Sequence, residues 1–166
     1  IPRKIKRDEL GIEGQPIFSG YDIWNAYEVS WLNLKGKPQV AIAEFFIPSS
    51  SKNIIESKSF KLYLNSFNNT KFESFSTVLK LLKNDISSAV NDNIEVKLQK
   101  LEHYNQIPIT SFDSECLDER DIECESYVTN SDLLEANGKD EEKMSEYSNL
   151  LKSNCLVTGQ PDWGSI

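Results

Sequence analysis

Near the end of the chain, in LLKSNCLVTGQPDWGSI, Cys155 stands seven positions before Asp162, with Gly159, Gln160 and Pro161 between them. A thiolate is a strong nucleophile, and a carboxylic acid can donate or relay a proton. If the glycine and proline fold the chain back, the two become a nucleophile beside an acid. The plainer reading is that Cys155, followed by Leu156 and Val157, is a small buried hydrophobe. A neighbouring carboxylate raises a thiol pKa unless a cation or dipole intervenes. Proton donation therefore suits Asp162 better than activation of the sulfur. Lys152 is the nearest candidate cation, provided that strand geometry does not point it away. Trp163 has the shape to stack on a flat ligand, or simply to anchor a rim.

A second dense patch is IESKSFKLYLNSF, residues 55–67, where Ser57, Lys58, Ser59 and Lys61 put hydroxyls and two cations within five positions. On a helix, Ser57 and Lys61 share a face. Backbone N–H groups at the helix start would add donors for a phosphate. Glu56, at the entrance, is of the type that accepts hydrogen bonds from a nucleobase edge. The competing reading is a capped surface helix with solvated lysines. The segment holds no glycine and is neither a phosphate-binding loop nor a dinucleotide fingerprint.

These groups need elements to hold them. Residues 1–20, with Pro2, Pro16, Gly11, Gly14 and Gly20, read as an irregular arm. Residues 21–33 and 38–48 read as two strands joined by Leu34–Lys37, an antiparallel hairpin. In the first strand, Ile23, Asn25, Tyr27 and Val29 fall in one register and Trp24, Ala26 and Glu28 in the other. Phe60, Tyr63, Leu64 and Phe67 recur at spacings of three and four, which predicts a helix over 59–67. Phe75, Val78, Leu79, Leu82, Ile86 and Val90 make a stronger helical stripe over 74–90. Ile94, Val96 and Leu98 alternate as a strand over 93–101. Asp113–Glu125 is acidic and reads as solvated strand or loop. A further interrupted helix is expected over 131–151, then a strand over 154–158 and a turn at 159–164. The order suggests an α+β domain, with helices covering one face of an antiparallel sheet.

Composition narrows the function. The 166 residues carry a formal charge of -8, which disfavours non-specific binding to nucleic acid or to an anionic membrane surface. No apolar run approaches the ~18 residues of a membrane span, and no signal peptide is visible. Three cysteines at low density suit a reducing cytoplasm rather than a disulfide framework. With one histidine, His103, and no CxxC, no metal site is expected. The chain opens at Ile1 and stops at Ile166 within an apparent strand, so both ends are expected to be truncated.

Taken together, the two patches resemble a known family. NIIESKSFKLYLNSFNNTKF (53–72) and LLKSNCLVTGQPDWGSI (150–166), with DIWNAYEVSWLNLKGKPQVA (22–41), resemble the NADPH-dependent nitrile reductases of the queuosine pathway, the QueF family. The likeness is to the longer form, built from two tunnelling-fold halves, and covers essentially the whole chain. It implies an α+β tunnelling fold, two helices packed on a four-stranded antiparallel sheet. It implies reduction of the nitrile of 7-cyano-7-deazaguanine to the aminomethyl group with two NADPH, in tRNA queuosine biosynthesis. By the same resemblance Cys155 attacks the nitrile carbon and Asp162 supplies the proton. Ile55, Glu56 and Ser57 would line the deazaguanine site. Ser57 and Lys58 would touch NADPH, and Lys61, by its charge, would support the phosphates.

The implied organisation is an arm (1–20), a first tunnelling-fold domain (21–148) and the start of a second (149–166). The remainder of that second half would carry a His–Glu pair. His103 matches no family motif and is expected to be an ordinary surface histidine. A homodimer of full-length chains is expected, with a small-molecule substrate and no nucleic-acid or membrane partner. Three other readings compete, one of them a plain soluble α+β domain, which composition supports as well as anything but the two motifs do not. A zinc-dependent enzyme of the same fold acting on GTP or a pterin lacks its ligand cluster here. A non-catalytic nucleobase-binding or interaction module would leave Cys155 and Asp162 structural.

Overall fold

The computed structural model describes residues 1–14, 16–103, 112–128, 130–134, 143–155 and 158–166. By its contacts the chain divides into two compact units, Ile1–Gln106 and Ile107–Ile166.

The first unit is built on a three-stranded antiparallel sheet in the order β1 (Tyr21–Leu32), β2 (Pro38–Pro48), β3 (Glu95–Lys100). The β1–β2 link turns at Gly36, whose φ of 83 is open to glycine at little cost. Asn33 Oδ1 accepts the N–H groups of Lys35 and Lys37 and closes that turn. Between β2 and β3 run α2 (Ser57–Asn65) and α3 (Phe75–Val90). Helix α3 starts at Ser74, whose hydroxyl accepts the N–H of Thr77, and ends at Asn91 in the left-handed region, φ 55. Its Val78, Leu82, Ile86 and Val90 are buried at a four-residue spacing, the stripe the sequence predicts.

Both helices cover the same sheet face. That face presents Val29 and Trp31 from β1, Ala41, Ala43, Phe45 and Ile47 from β2, and Leu98 from β3, in one core with Phe60, Phe67 and the α3 stripe. Phe45 and Phe60 meet edge to face, centroids 4.9 Å apart. The expected α+β architecture is therefore present, with three strands in this sheet among the described residues.

Three local expectations change. The strand register of β1 does not run unbroken: Ala26 pairs with Ala43 but Val29 with Ala41, so one extra residue is accommodated at Tyr27–Glu28. This bulge moves Val29 from the Ile23 side to the core side, with Trp24 and Ala26. Alternation alone gives no sign of such an insertion. Helix α2 begins two residues earlier than the apolar spacing predicts, because Glu56 caps it. The arm is not wholly irregular: α1 (Arg3–Glu9) forms in it, with ion pairs Lys4–Asp8 and Lys6–Glu9 along its surface.

In the second unit β4 (Glu115–Cys116) pairs in parallel with β5 (Glu146–Tyr147), and β6 (Leu151–Asn154) pairs antiparallel with β7 (Pro161–Gly164). The acidic stretch is thus a two-residue strand set in irregular chain, tied by Arg120 to Glu115 and Glu146. The helix expected over 131–151 is corrected where it is described: Ser131–Leu133 is a single 3-10 turn, and β5 and the start of β6 are extended. Residues 135–142 of that expectation lie outside the described residues. The strand expected over 154–158 is shifted too. It ends at Asn154, and the presumed turn at 159–164 contains β7. Asp118 secures the hairpin's base, accepting from the Ser148 hydroxyl at 2.7 Å and from the backbone and side-chain N–H groups of Asn149. Those bonds, the Ser148 hydroxyl first, hold its carboxyl below the usual range.

Candidate active site

The site residues expected from sequence fall in both units: Ile55, Glu56, Ser57, Lys58 and Lys61 in the first, Cys155 and Asp162 in the second.

Strands β6 and β7 pair Ser153 with Asp162 and Asn154 with Pro161. The next step closes the loop: the Cys155 N–H donates to the Gln160 carbonyl at 2.9 Å, and the Gly159 N–H donates to the Cys155 carbonyl at 2.8 Å. Gly159 turns the chain with φ 67. Side chains alternate along a strand. Continuing the alternation of β6, Cys155 shares a face with Ser153 and therefore with Asp162, its diagonal neighbour across the hairpin. Such diagonals lie about 7–8 Å apart, within reach of one bound group between them. Cys155 is half-buried and Asp162 exposed, so the thiol is not sealed into a core.

Lys152 and Trp163 pair on the opposite face, the ammonium 5.7 Å from the indole centroid. Register thus sets Lys152 beside Trp163, on the face away from that of Ser153 and Asp162. Ser153 is the residue that spacing did not single out. Only the hairpin register, which sets it opposite Asp162, brings it to that face.

In the first unit Glu56 is the N-cap of α2. Its carboxylate accepts the N–H groups of Lys58 at 2.9 Å and Ser59 at 2.7 Å, and the Ser59 hydroxyl at 2.8 Å. These bonds, the Lys58 N–H foremost, bring its pKa down to about 2. The consequence for an anion is direct. Two of the N–H groups at the helix start already serve Glu56, so a phosphate beside α2 meets fewer backbone donors and leans on side chains. Ser57, Lys58 and Lys61 are all exposed and chemically suited to that. Ser57 and Lys61 line one side of an open groove of about 650 Å³ whose other wall is β1 at its bulge, with Asn25 and Tyr27. Ile55 is half-buried against the core. A carboxylate has about four acceptor sites; the three bonds above and a longer one from the Ser57 hydroxyl at 3.5 Å take them up. A base edge with two N–H donors would have to displace the Ser57 and Ser59 hydroxyls from Glu56. The sequence offered Ser59 only as one more hydroxyl; its role as a capping partner follows from the helix turn.

His103 is exposed in a 3-10 turn at the end of β3, as an ordinary surface histidine. Among the described residues no helix is long and apolar enough to cross a membrane.

The first unit is a two-helix, antiparallel-sheet α+β domain, and the second carries a thiol and a carboxylate on one hairpin. Comparison with known proteins gives the family. Residues 1–98 match the family model described as nitrile reductase, 7-cyano-7-deazaguanine-reductase N-term, and the chain belongs to that family. It is 52% identical over 174 aligned residues to the NADPH-dependent 7-cyano-7-deazaguanine reductase of Polaromonas naphthalenivorans (strain CJ2), with all of this chain and 62% of that protein covered. It is 53% identical over 170 residues to the protein of the same name from Cupriavidus taiwanensis, with all of this chain and 61% of that protein covered. The chain thus spans less than two thirds of the length of these relatives.

Proposed function

We propose that the protein containing this chain is an NADPH-dependent oxidoreductase that reduces the nitrile of 7-cyano-7-deazaguanine to a primary amine, a step of tRNA queuosine biosynthesis in the cytoplasm. The observation that carries this reading is the hairpin register, which sets Cys155 and Asp162 on one face as diagonal neighbours. The names of both relatives point the same way.

In this reading the Cys155 sulfur adds to the electrophilic nitrile carbon. A carbon–sulfur bond forms, one π bond of the nitrile opens, and the electron pair goes to nitrogen. Asp162 gives that nitrogen its proton, so no free anion develops. The product is a covalent thioimide on Cys155. NADPH, when bound, supplies the hydrides, two of them for a four-electron reduction. The chain's own work is to orient the nitrile, hold the proton at Asp162 and keep water from the bound imine between the two reductions.

Glu56 accepts the amino-pyrimidinone edge of the base, with Ile55 against its ring and Ser57 beside it. Ser57, Lys58 and Lys61 hold the anionic cofactor chiefly through side chains, since Glu56 already takes two of the backbone donors at the helix start. Residues 149–166 begin a second tunnelling-fold half, and full-length chains pair as homodimers.

The test is intact-protein mass spectrometry of the full-length protein with 7-cyano-7-deazaguanine and no NADPH, beside Cys155→Ala. An adduct of the substrate's mass that requires Cys155 and disappears as NADPH yields the amine is the expected result. No adduct, and substrate unchanged after NADPH, overturns it in favour of a nucleobase-binding module.

A further inference from the structure

The segment that leads into Glu56 is held from two sides. On one side α3 takes hold: the Asn53 N–H donates to the Val90 carbonyl at 3.1 Å, and its side-chain amide to the Ala89 carbonyl at 2.9 Å. On the other side lies the N-terminal arm. Pro2 bridges Asn53 in antiparallel fashion; the Arg3 N–H donates to the Lys52 carbonyl at 3.0 Å and the Ile54 N–H to the Ile1 carbonyl at 2.8 Å. The arm thereby adds a short stretch of strand beside residues 52–54, directly before Ile55, Glu56 and Ser57.

Arg3 locks this stretch. Its side chain is only 12% exposed, pairs with Asp22 at the start of β1, and donates through Nε to the Ser51 hydroxyl at 3.0 Å. Ser51, 1% exposed, donates its hydroxyl hydrogen bond to the Asn53 carbonyl at 2.9 Å. Arg7 adds a bond to the Ser49 carbonyl at 2.6 Å. A guanidinium is always charged and offers several donors in a rigid fork, so it can serve a carboxylate and a hydroxyl together where an ammonium cannot keep the same geometry. The path Asp22, Arg3, Ser51, Asn53 therefore ties β1 to the residue three positions before Glu56. Burial of both Arg3 and Ser51 makes the path costly to break.

We propose that Arg3 is a positioning residue for the substrate segment: acting through Ser51 and the bridged arm, it fixes where Ile55, Glu56 and Ser57 present themselves to the nucleobase. The inference rests on the assignment of that segment to 7-cyano-7-deazaguanine, and it makes the arm part of the binding machinery rather than a tail.

The experiment uses the full-length protein and three variants. Arg3→Met removes the fork, Arg3→Lys keeps the charge opposite Asp22 but not the second bond, and Ser51→Ala removes only the relay hydroxyl. Two quantities are read: amide hydrogen exchange of residues 53–59, and the dissociation constant for 7-cyano-7-deazaguanine. Loss of one charged, buried bond network should weaken substrate binding about tenfold or more in Arg3→Met and Ser51→Ala. Arg3→Lys should recover part of that loss. Exchange at the Lys58 and Ser59 amides should quicken in parallel, while NADPH affinity changes less than substrate affinity. Unchanged exchange in all variants that fold overturns the clasp itself, whatever the substrate. Quickened exchange with unchanged substrate affinity overturns its positioning role. A wild-type protein that shows no affinity for 7-cyano-7-deazaguanine overturns the functional reading, and this inference with it. If Arg3→Met does not fold, Arg3→Lys and Ser51→Ala decide.

Discussion

Cys155 and Asp162 are diagonal neighbours on one face of the β6–β7 hairpin, a relation set by the Ser153–Asp162 pair and closed by the Cys155 N–H to Gln160 carbonyl bond of 2.9 Å. The seven peptide units from Cys155 to Asp162 would separate them widely in an extended segment. The turn at Gly159 is what converts that spacing into proximity.

If Asp162 is the proton donor, its replacement should affect chemistry and not binding. Asp162→Asn in the full-length protein should form the Cys155 adduct about 10²–10⁴ times more slowly, with the dissociation constant for 7-cyano-7-deazaguanine changed little. Stopped-flow absorbance of adduct formation makes the check. Adduct formation at the wild-type rate would remove Asp162 from the mechanism.

Lys152 lies over Trp163, on the face away from the sulfur. Lys152→Ala should therefore leave the pH dependence of Cys155 alkylation by iodoacetamide where it was, within about 0.3 of a pH unit. A clear upward shift of that profile would show that the ammonium reaches the thiolate after all.

The cap on α2 carries a pH signature. The folded Glu56 carboxyl titrates at about 2, against 4.5 for the free group. The unfolded state thus takes up a proton first as pH falls, and stability drops with it. The contribution of the ionised cap is complete above about 4.5 and is lost as pH falls toward about 2. The gap in urea midpoint between wild type and Glu56→Gln should hold its full width from about pH 6 upward, neutrality and above included, and should narrow on going to pH 3. A gap independent of pH would mean that charge at Glu56 is not what caps the helix.

Phe60 couples α2 to the sheet. It is 5% exposed, with ring centroids 4.9 Å from Phe45 and 5.6 Å from Trp24. Phe60→Ala should cost about 3–5 kcal/mol of stability, read from urea unfolding. Because the same helix carries Ser57 and Lys61 along the groove, NADPH affinity should weaken as well. A cost below about 1 kcal/mol would mean that α2 is held chiefly by its ends.

Much of this was legible in the chain itself. The α3 stripe, the hairpin of β1 and β2, and the one-sided covering of the sheet all follow from periods of 3.6 and 2, which are local properties of the backbone. The fold-back around Gly159 was legible as well, from turn residues rather than from periodicity. Residue types fixed the available chemistry.

Other features were decided only in three dimensions. The bulge at Tyr27–Glu28 depends on what β2 offers as a partner, and moves Val29 into the core. Glu56 became a helix cap because Lys58 and Ser59 turned their N–H groups toward it. Lys152 left the sulfur because register, not distance along the chain, chooses a side chain's face. The arm, featureless by hydropathy, acquired a role when Arg3 found Asp22 and Ser51, partners 19 and 48 residues away. Periodicity carries no information about such contacts, since each depends on where a distant backbone has been placed by the packing of the core.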